Sequence, residues 1–359
     1  MRVAIVVGTR PEIVKMAPLI RAAIARGLRP LVAHTGQHYS FEMDAVFFHE
    51  LGLPPADVNL EVGSGAAALQ LAAIVEGMAT WVERERPDWA LVEGDTNSVL
   101  GAALAAHKSG ARVGHVEAGL RSFDRSMPEE LNRILTDHLS DLLFAPTERA
   151  AAQLASEGID GARVSVTGNT VVDELLLQRE RARATGALEK HGVAPRGYAL
   201  ATVHRAENTD DTSRLLGIVA GLSGAAERLG VPVLCALHPR TRNRLEELEA
   251  AVPSGVRLLP PLSYLEFLGL HADAALMLTD SGGLQEEACV LRVPCVTMRD
   301  NTERPESVEV GANRLAGADA AAIAEAAATM ISVARDWKQP FGDGRAAERI
   351  LDLLESRSG

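Results

Sequence analysis

Short runs of β-branched and aliphatic residues alternate with longer helical patterns along this whole chain, and that alternation leaves few folds open. A strand, a helix and a further strand in regular succession form a crossover, so neighbouring strands run parallel and helices cover both faces of the sheet. The first set of strands is expected at Val3–Val7, Pro30–His34, Trp89–Val92, Arg112–Val116, Leu142–Ala145 and Arg163–Val166. The second is expected at Tyr198–Val203, Pro232–Leu237, Val256–Leu259, Ala274–Leu278, Pro294–Thr297 and Asn313–Leu315. Helices are expected at Glu12–Arg26, Ala67–Glu85, Thr212–Leu229 and Leu284–Leu291, among others. Two such sets in 359 residues mean two doubly wound α/β units rather than one barrel. Their seam is expected within Thr170–Arg196, where a charged helical stretch replaces the alternation and ends in Pro195-Arg196-Gly197. The expected domains are therefore 1–172 and 173–343, with an amphipathic helix near 344–359 packing back on the first.

Charge and cysteines narrow the function classes. A formal net charge of -12 excludes a general basic field for nucleic acid or an anionic membrane. A few arginines and helix N-termini still suffice for a local phosphate. Cys235, Cys289 and Cys295 fit neither a zinc nor a CxxC spacing, which points to a reduced, cytoplasmic setting. The opening apolar run is too short for a signal segment, and no stretch approaches the roughly 20 apolar residues of a membrane span.

In open parallel sheets ligands bind beyond the carboxyl ends of the strands, so the polar residues just after each strand matter most. Gly8-Thr9-Arg10-Pro11-Glu12 puts Arg10 at a helix start, where it serves either a phosphate or a solvated loop. It is not a GxGxxG loop, so neither NAD nor FAD is expected as a cofactor. In Glu93-Gly94-Asp95-Thr96-Asn97-Ser98, Asp95 reads as a helix N-cap or an active-site carboxylate, the cap being the simpler account. Glu117 directly follows a buried strand, where an unpaired carboxylate is expensive. Ser126 and Glu129 have capping-box spacing, with Arg133 and Asp137 on the same helix face as Glu129 and Leu131, Leu135, Leu139 and Leu142 expected in the core. His204 follows the first strand of the second set, in the place of an acid, base or phosphate donor, or of a structural histidine. Asp280-Ser281-Gly282-Gly283 opens a helix with free N–H groups, a pyrophosphate site, and Glu286 and Glu287 either complement its dipole or bind ribose hydroxyls. No histidine spacing suggests a metal, HExxH is absent, and no GxSxG elbow occurs.

Taken together, His115–Arg121, Pro128–Arg133, Thr167–Thr170, Thr279–Glu287 and Met298–Glu306 closely resemble the non-hydrolysing UDP-N-acetylglucosamine 2-epimerase family, over nearly the whole chain. The resemblance implies a GT-B-like fold, two Rossmann-type domains facing a cleft, the second holding UDP. It implies no cofactor, a homodimer, and reversible conversion of UDP-GlcNAc to UDP-ManNAc by elimination and re-addition of UDP through a 2-acetamidoglucal. Residue by residue, Asp95, Glu117 and Glu129 match the proton-handling carboxylates and His204 the histidine near the leaving phosphate. Arg10, Ser281, Gly282 and Gly283 match phosphate contacts, Glu287 the ribose contact, and Lys15 a further nucleotide-site position. Gln37, His38 and His238 correspond to a second, activating nucleotide site, but the residues around them depart from the family's regulated pattern. The competing readings are a hydrolysing epimerase, a 2-epimerase for a diacetamido uronic acid nucleotide, a GT-B glycosyltransferase and a non-catalytic nucleotide-sugar sensor. Retention of the carboxylates and His204 speaks against the last.

Overall fold

The computed structural model describes residues 1–37 and 41–358, the side chains of 41–45 excepted. The chain forms two compact units, Met1–Leu176 with Phe341–Gly359, and Leu177–Pro340. The first contains an all-parallel seven-stranded sheet in the order β3-β2-β1-β4-β5-β6-β7. Its strands are β1 (Val3–Val7), β2 (Leu31–His34), β3 (Val58–Asn59), β4 (Trp89–Glu93), β5 (Arg112–Val116), β6 (Leu142–Ala145) and β7 (Val164–Val166). The second contains an all-parallel six-stranded sheet in the order β10-β9-β8-β11-β12-β13. Its strands are β8 (Ala199–Val203), β9 (Val233–Leu237), β10 (Val256–Leu259), β11 (Leu276–Thr279), β12 (Cys295–Thr297) and β13 (Asn313–Leu315). Every expected strand lies within two residues of an observed one, and among the described residues only the two-residue edge strand β3 went unforeseen.

The strand order decides where a site can form. In the first unit the chain winds outward from β1 to β3, returns to β4 beside β1, and winds outward the other way. The direction therefore reverses between β1 and β4, and in the second unit between β8 and β11. At such a point the loops after two adjacent strands diverge and leave room for a ligand. The central strands are buried on both faces, as VAIVV in β1 shows, which is why they read as continuous apolar runs.

The last helix, Ala346–Ser356, belongs to the first unit and turns Ile350, Leu351 and Leu354 inward. Both carboxylate oxygens of Asp173 cap it, accepting from the N–H groups of Ala346 and Ala347 at 3.1 and 3.0 Å. Arg26 on the far side pairs with Asp352 at 2.7 Å.

One helix reverses its expected orientation. Pro128–Leu139 buries Glu130, Asn132, Arg133, Thr136 and Asp137, while Leu131 and Leu135 are 46% and 42% exposed. Asn132, Arg133 and Asp137 find partners in the loops after β4 and β5, so the polar face packs and the leucine face is left outward. The capping box is also absent: Met127 is the N-cap, Pro128 follows, and Ser126 Oγ binds Asp124 Oδ1 at 2.6 Å.

Candidate active site

In the first unit, the loops after β1, β4 and β5 bring a dense set of carboxylates together. Gly8 lets the chain pass β4's helix, because a Cβ there would sit 2.6 Å from Ser98 Cβ. The helix Arg10–Ala25 then starts with Pro11 in its first turn and Thr9 as N-cap. Glu12 turns back beneath it, accepting from the Gly8 N–H at 2.5 Å and from Thr96 Oγ1 at 2.7 Å. Burial pushes the Glu12 carboxyl up to about 7; the nearby charge of Asp95 adds to this, and its hydrogen bonds to Thr96, Gly8 and Thr9 oppose it.

One turn further, Lys15 places its ammonium between two buried carboxylates, 2.8 Å from Glu93 Oε1 and 2.7 Å from Glu117 Oε2. The ammonium expected on the nucleotide is thus engaged by acids of its own unit. Glu93 ends β4, and burial holds its carboxyl well above the usual range, against the pull of Lys15 and with the help of Glu117's charge. Glu117 adopts a left-handed backbone, φ 66°, which a side chain with a Cβ rarely takes. Such strain persists only where the surroundings enforce it. Here Asn169 Nδ2 donates to Glu117 Oε2 at 2.7 Å, and the Asn169 N–H donates to Phe341 O at 2.8 Å. Gly168 and Gly342, both with positive φ, make that approach possible: a Cβ on Gly342 would lie 2.9 Å from Gly168 Cα.

Asp95 is not the cap. Thr96 holds that place, its hydroxyl accepting from the Val99 N–H at 3.4 Å, and Asp95 pairs with Arg133. Arg133 also meets Glu130 at 2.8 Å, and Glu130 accepts from the N–H groups of Ser122 and Phe123 at 2.8 and 2.9 Å. Glu129, half-buried in the first turn of Pro128–Leu139, is presented by the same helix. Beneath it Asp137 contacts His115 and Arg121, each at 2.7 Å; burial pushes its carboxyl up, but these partners hold it below its ordinary value. Arg10 lies over the Phe47 ring at 4.9 Å. Gln37 is built into the shelf under these loops, its amide oxygen accepting from the Ser98 N–H and hydroxyl at 3.0 and 2.6 Å. His38 lies outside the described residues.

In the second unit, the loops after β8 and β11 converge on Asp280, which is fully buried. Its carboxylate accepts from the N–H groups of His204 and Arg205 at 3.1 and 3.0 Å and from Asn208 Nδ2 at 3.2 Å. The His204 ring is 41% exposed, with Nε2 3.8 Å from Asp280. Partial burial lowers its affinity for a proton, Asp280 opposes that, and Arg205 and Arg299 reinforce it. The helix Gly282–Leu291 starts at Ser281 with no side chain closing its first N–H groups. At Gly282 a Cβ would meet Arg304 Nη1 and Glu303 Oε2 at 3.2 Å, so those two side-chain ends close over the start of the helix. Arg299, fully buried, grips Glu303 with both Nη atoms at 2.9 Å and braces the loop behind this helix. Glu287 is half-buried, 3.8 Å from the buried His271. His238 caps the helix Pro239–Glu247, accepting from the Arg240 N–H at 3.2 Å.

The structure thus gathers Lys15, Asp95 and Glu117 on one set of strand ends and His204, Ser281, Gly282 and Gly283 on another. Glu12, Glu93, Asn169 and the hub role of Asp280 carry no assignment from sequence. For Asp280 a signal existed, an acid directly following an apolar strand run.

The sequence matches the UDP-N-acetylglucosamine 2-epimerase family over residues 22–355. A UDP-N-acetylglucosamine 2-epimerase of Methanocaldococcus jannaschii is 46% identical, covering 99% of both chains. A solved structure of the enzyme from that organism, in complex with UDP-GlcNAc and UDP, superimposes with a TM-score of 0.93 over 99% of this chain and 100% of its own. A Pseudomonas aeruginosa relative named UDP-2,3-diacetamido-2,3-dideoxy-D-glucuronate 2-epimerase is 40% identical, covering 99% of both chains. Matched from end to end and carrying two doubly wound parallel sheets of the GT-B-like kind, the chain belongs to the UDP-N-acetylglucosamine 2-epimerase family.

Proposed function

We propose that this protein interconverts UDP-GlcNAc and UDP-ManNAc without net hydrolysis. The observation that carries the reading is Glu117, a buried carboxylate in a strained left-handed conformation, gripped by Lys15 and Asn169 at the carboxyl end of a central strand. Strain of this kind, kept at a strand end among titratable groups, marks a working group rather than a brace. The C2 hydrogen of the sugar has no carbonyl beside it, so direct deprotonation is slow. Breaking the C1–O bond to UDP while a carboxylate takes the C2 proton gives a 2-acetamidoglucal. Return of a proton to C2 on the other face, with UDP oxygen re-adding at C1, gives the epimer.

Asp95, Glu117 and Glu129 are assigned to these proton transfers and to the positive charge developing at C1. His204, Arg10 and the N–H groups of Ser281, Gly282 and Gly283 are assigned to the departing diphosphate, and Glu287 to the ribose. Lys15 is assigned to the carboxylates it touches. Gln37, whose amide oxygen already serves Ser98, is assigned a structural part, so rates should rise hyperbolically with UDP-GlcNAc. A sigmoidal curve would revive an activating site.

The test is proton NMR with UDP-GlcNAc in D₂O. UDP-ManNAc carrying deuterium at C2 is expected; free UDP with ManNAc or the glucal would mean a hydrolysing enzyme instead. The 40% identity to the Pseudomonas relative favours one second reading, a diacetamido uronic acid nucleotide as substrate. Higher kcat/KM for that nucleotide in the same assay would establish it.

No helix among the described residues is long and apolar enough to cross a membrane, and the three buried free cysteines suit a cytoplasmic enzyme. The outward leucine face of Pro128–Leu139 is assigned to a second copy of the chain. Light scattering should give a dimer, and Leu131→Glu with Leu135→Glu should give a monomer; a dimer unaffected by both changes would place the interface elsewhere.

A further inference from the structure

Glu93 is absent from every assignment made so far, yet it is among the most enclosed acids of the first unit, with 1% of its side chain exposed. It closes β4 in register with Val116 of β5, so it lies one residue from Glu117 across the sheet. Lys15 comes up from its helix and bridges the two carboxylates at 2.8 and 2.7 Å. The charged groups around Glu93 are then Lys15 and Glu12 on the helix Arg10–Ala25, and Glu117 after β5. Asp95 adds its charge at one remove, through Glu12.

The count of charges is informative. Two ionised carboxylates and one ammonium leave a net negative charge, and in a buried site that arrangement is costly. One proton held on the pair removes the excess. The proton and the ammonium are thus shared, and what either carboxylate does depends on the other.

We infer that Glu93 is a positioning residue for Glu117, setting through the shared Lys15 ammonium how Glu117 takes up and releases its proton. With Glu93 protonated, the whole charge of Lys15 is available to an ionised Glu117. With Glu93 ionised, the ammonium is divided, and Glu117 is driven to hold the proton instead. The one proton is divided between the two acids, so Glu93 bears part of the charge over the range in which Glu117 titrates. In the sugar reaction the proton taken from C2 rests on Glu117, and Glu93 never touches substrate. The inference rests on the reading of Glu117 as an acid–base group only for its effect on rate; the coupling itself stands on the geometry.

The test uses two readouts on the full-length enzyme. One is the carboxyl ¹³C titration of Glu117 in protein labelled at glutamate Cδ, the resonance being assigned with Glu117→Gln. The other is the pH profile of kcat/KM for UDP-GlcNAc. In Glu93→Gln the amide oxygen still accepts from Lys15, but the competing charge is gone. The Glu117 midpoint and the acid limb of the rate should both move to lower pH by about one unit or more, the usual reach of one neighbouring charge. Glu93→Asp, which restores the charge, should return both toward wild type. Should Glu93→Gln fail to fold, Glu93→Ala removes the same charge with less bulk and carries the same expectation.

A Glu117 titration identical in wild type and the neutral variants overturns the inference. A titration that moves in a protein that does not epimerise leaves the coupling standing and overturns the proposed function. A moved titration with an unmoved rate limb overturns the positioning role.

Discussion

Each unit buries a carboxylate just beyond the end of a central strand, and the two are held in opposite ways. Asp280 in the second unit is met by neutral donors, two backbone N–H groups and one side-chain amide, with the His204 ring further off. Those donors point at it because the loop after β8 is folded around it. Glu117 in the first unit shares one ammonium with a second acid and sits on strained backbone. A carboxylate wrapped in fixed dipoles is a brace, since displacing it would strand every donor. A carboxylate sharing a cation with another acid has a second proton acceptor at hand, and its protonation shifts at smaller cost. On these grounds the first unit is suited to proton chemistry and the second to holding a fixed anion.

The largest expected effect tests the first half of that contrast. Glu117→Gln keeps shape and hydrogen bonding but removes the titrating group. Turnover should fall by about 10²–10⁴, the usual weight of a positioned acid or base. UDP affinity, measured by calorimetry, should stay within about threefold. Lost affinity with retained turnover would reverse the roles given to the two units.

Next in size is the brace. Asp280→Ala strips the acceptor from the His204 and Arg205 N–H groups and from Asn208 together. Leaving such donors buried and unmet should lower stability by about 3–5 kcal/mol in urea unfolding. UDP binding should weaken with it, because the loop bearing His204 loses its anchor. A variant of unchanged stability would show that Asp280 is not the hub of its unit.

The contrast is only half legible in the sequence. Doubly buried parallel strands such as VAIVV announce themselves, because no face is left for polar residues, and the strand-end segments with their glycines follow from them. Asp95, Glu117 and His204 are accessible for that reason. Glu93 is not, being the final letter of WALVE and looking like the edge of an apolar run. Asn169 is not, because what fixes it is Phe341, whose return to the first unit is a tertiary event. The helix Pro128–Leu139 reads from its pattern with its faces reversed: a period of 3.6 shows that two faces differ but not which one the fold turns inward. Leucines ordinarily win that choice, and here Arg133 and Asp137 win it, because Asp95, His115 and Arg121 already wait for them.

Glu12 offers the finest test, because it belongs to neither kind. Like Asp280 it is buried and has neutral donors, the Gly8 N–H and the hydroxyls of Thr96 and Thr9, but Asp95 stands near. Burial, helped by the like charge beside it, outweighs those donors, so the neutral form wins and the carboxyl is pushed from 4.5 up to about 7. Below about pH 4.5 both folded and unfolded chains hold this proton, and Glu12 costs nothing. Between there and pH 7 the unfolded chain releases it while the folded one keeps it, so folding takes up a proton and stability falls as pH rises. Above about 7 the penalty is constant. At roughly 1.4 kcal/mol for each pH unit between the unfolded and folded midpoints, the full penalty is about 2–3 kcal/mol after allowance for relaxation of the loop. Glu12→Gln, which can accept from Gly8 and donate to Thr96, should abolish it. The stability of the variant relative to wild type should therefore climb between pH 5 and pH 8 by about that amount in urea titrations. A difference that stays flat with pH would mean that Glu12 is ionised in the folded protein and is a brace of Asp280's kind after all.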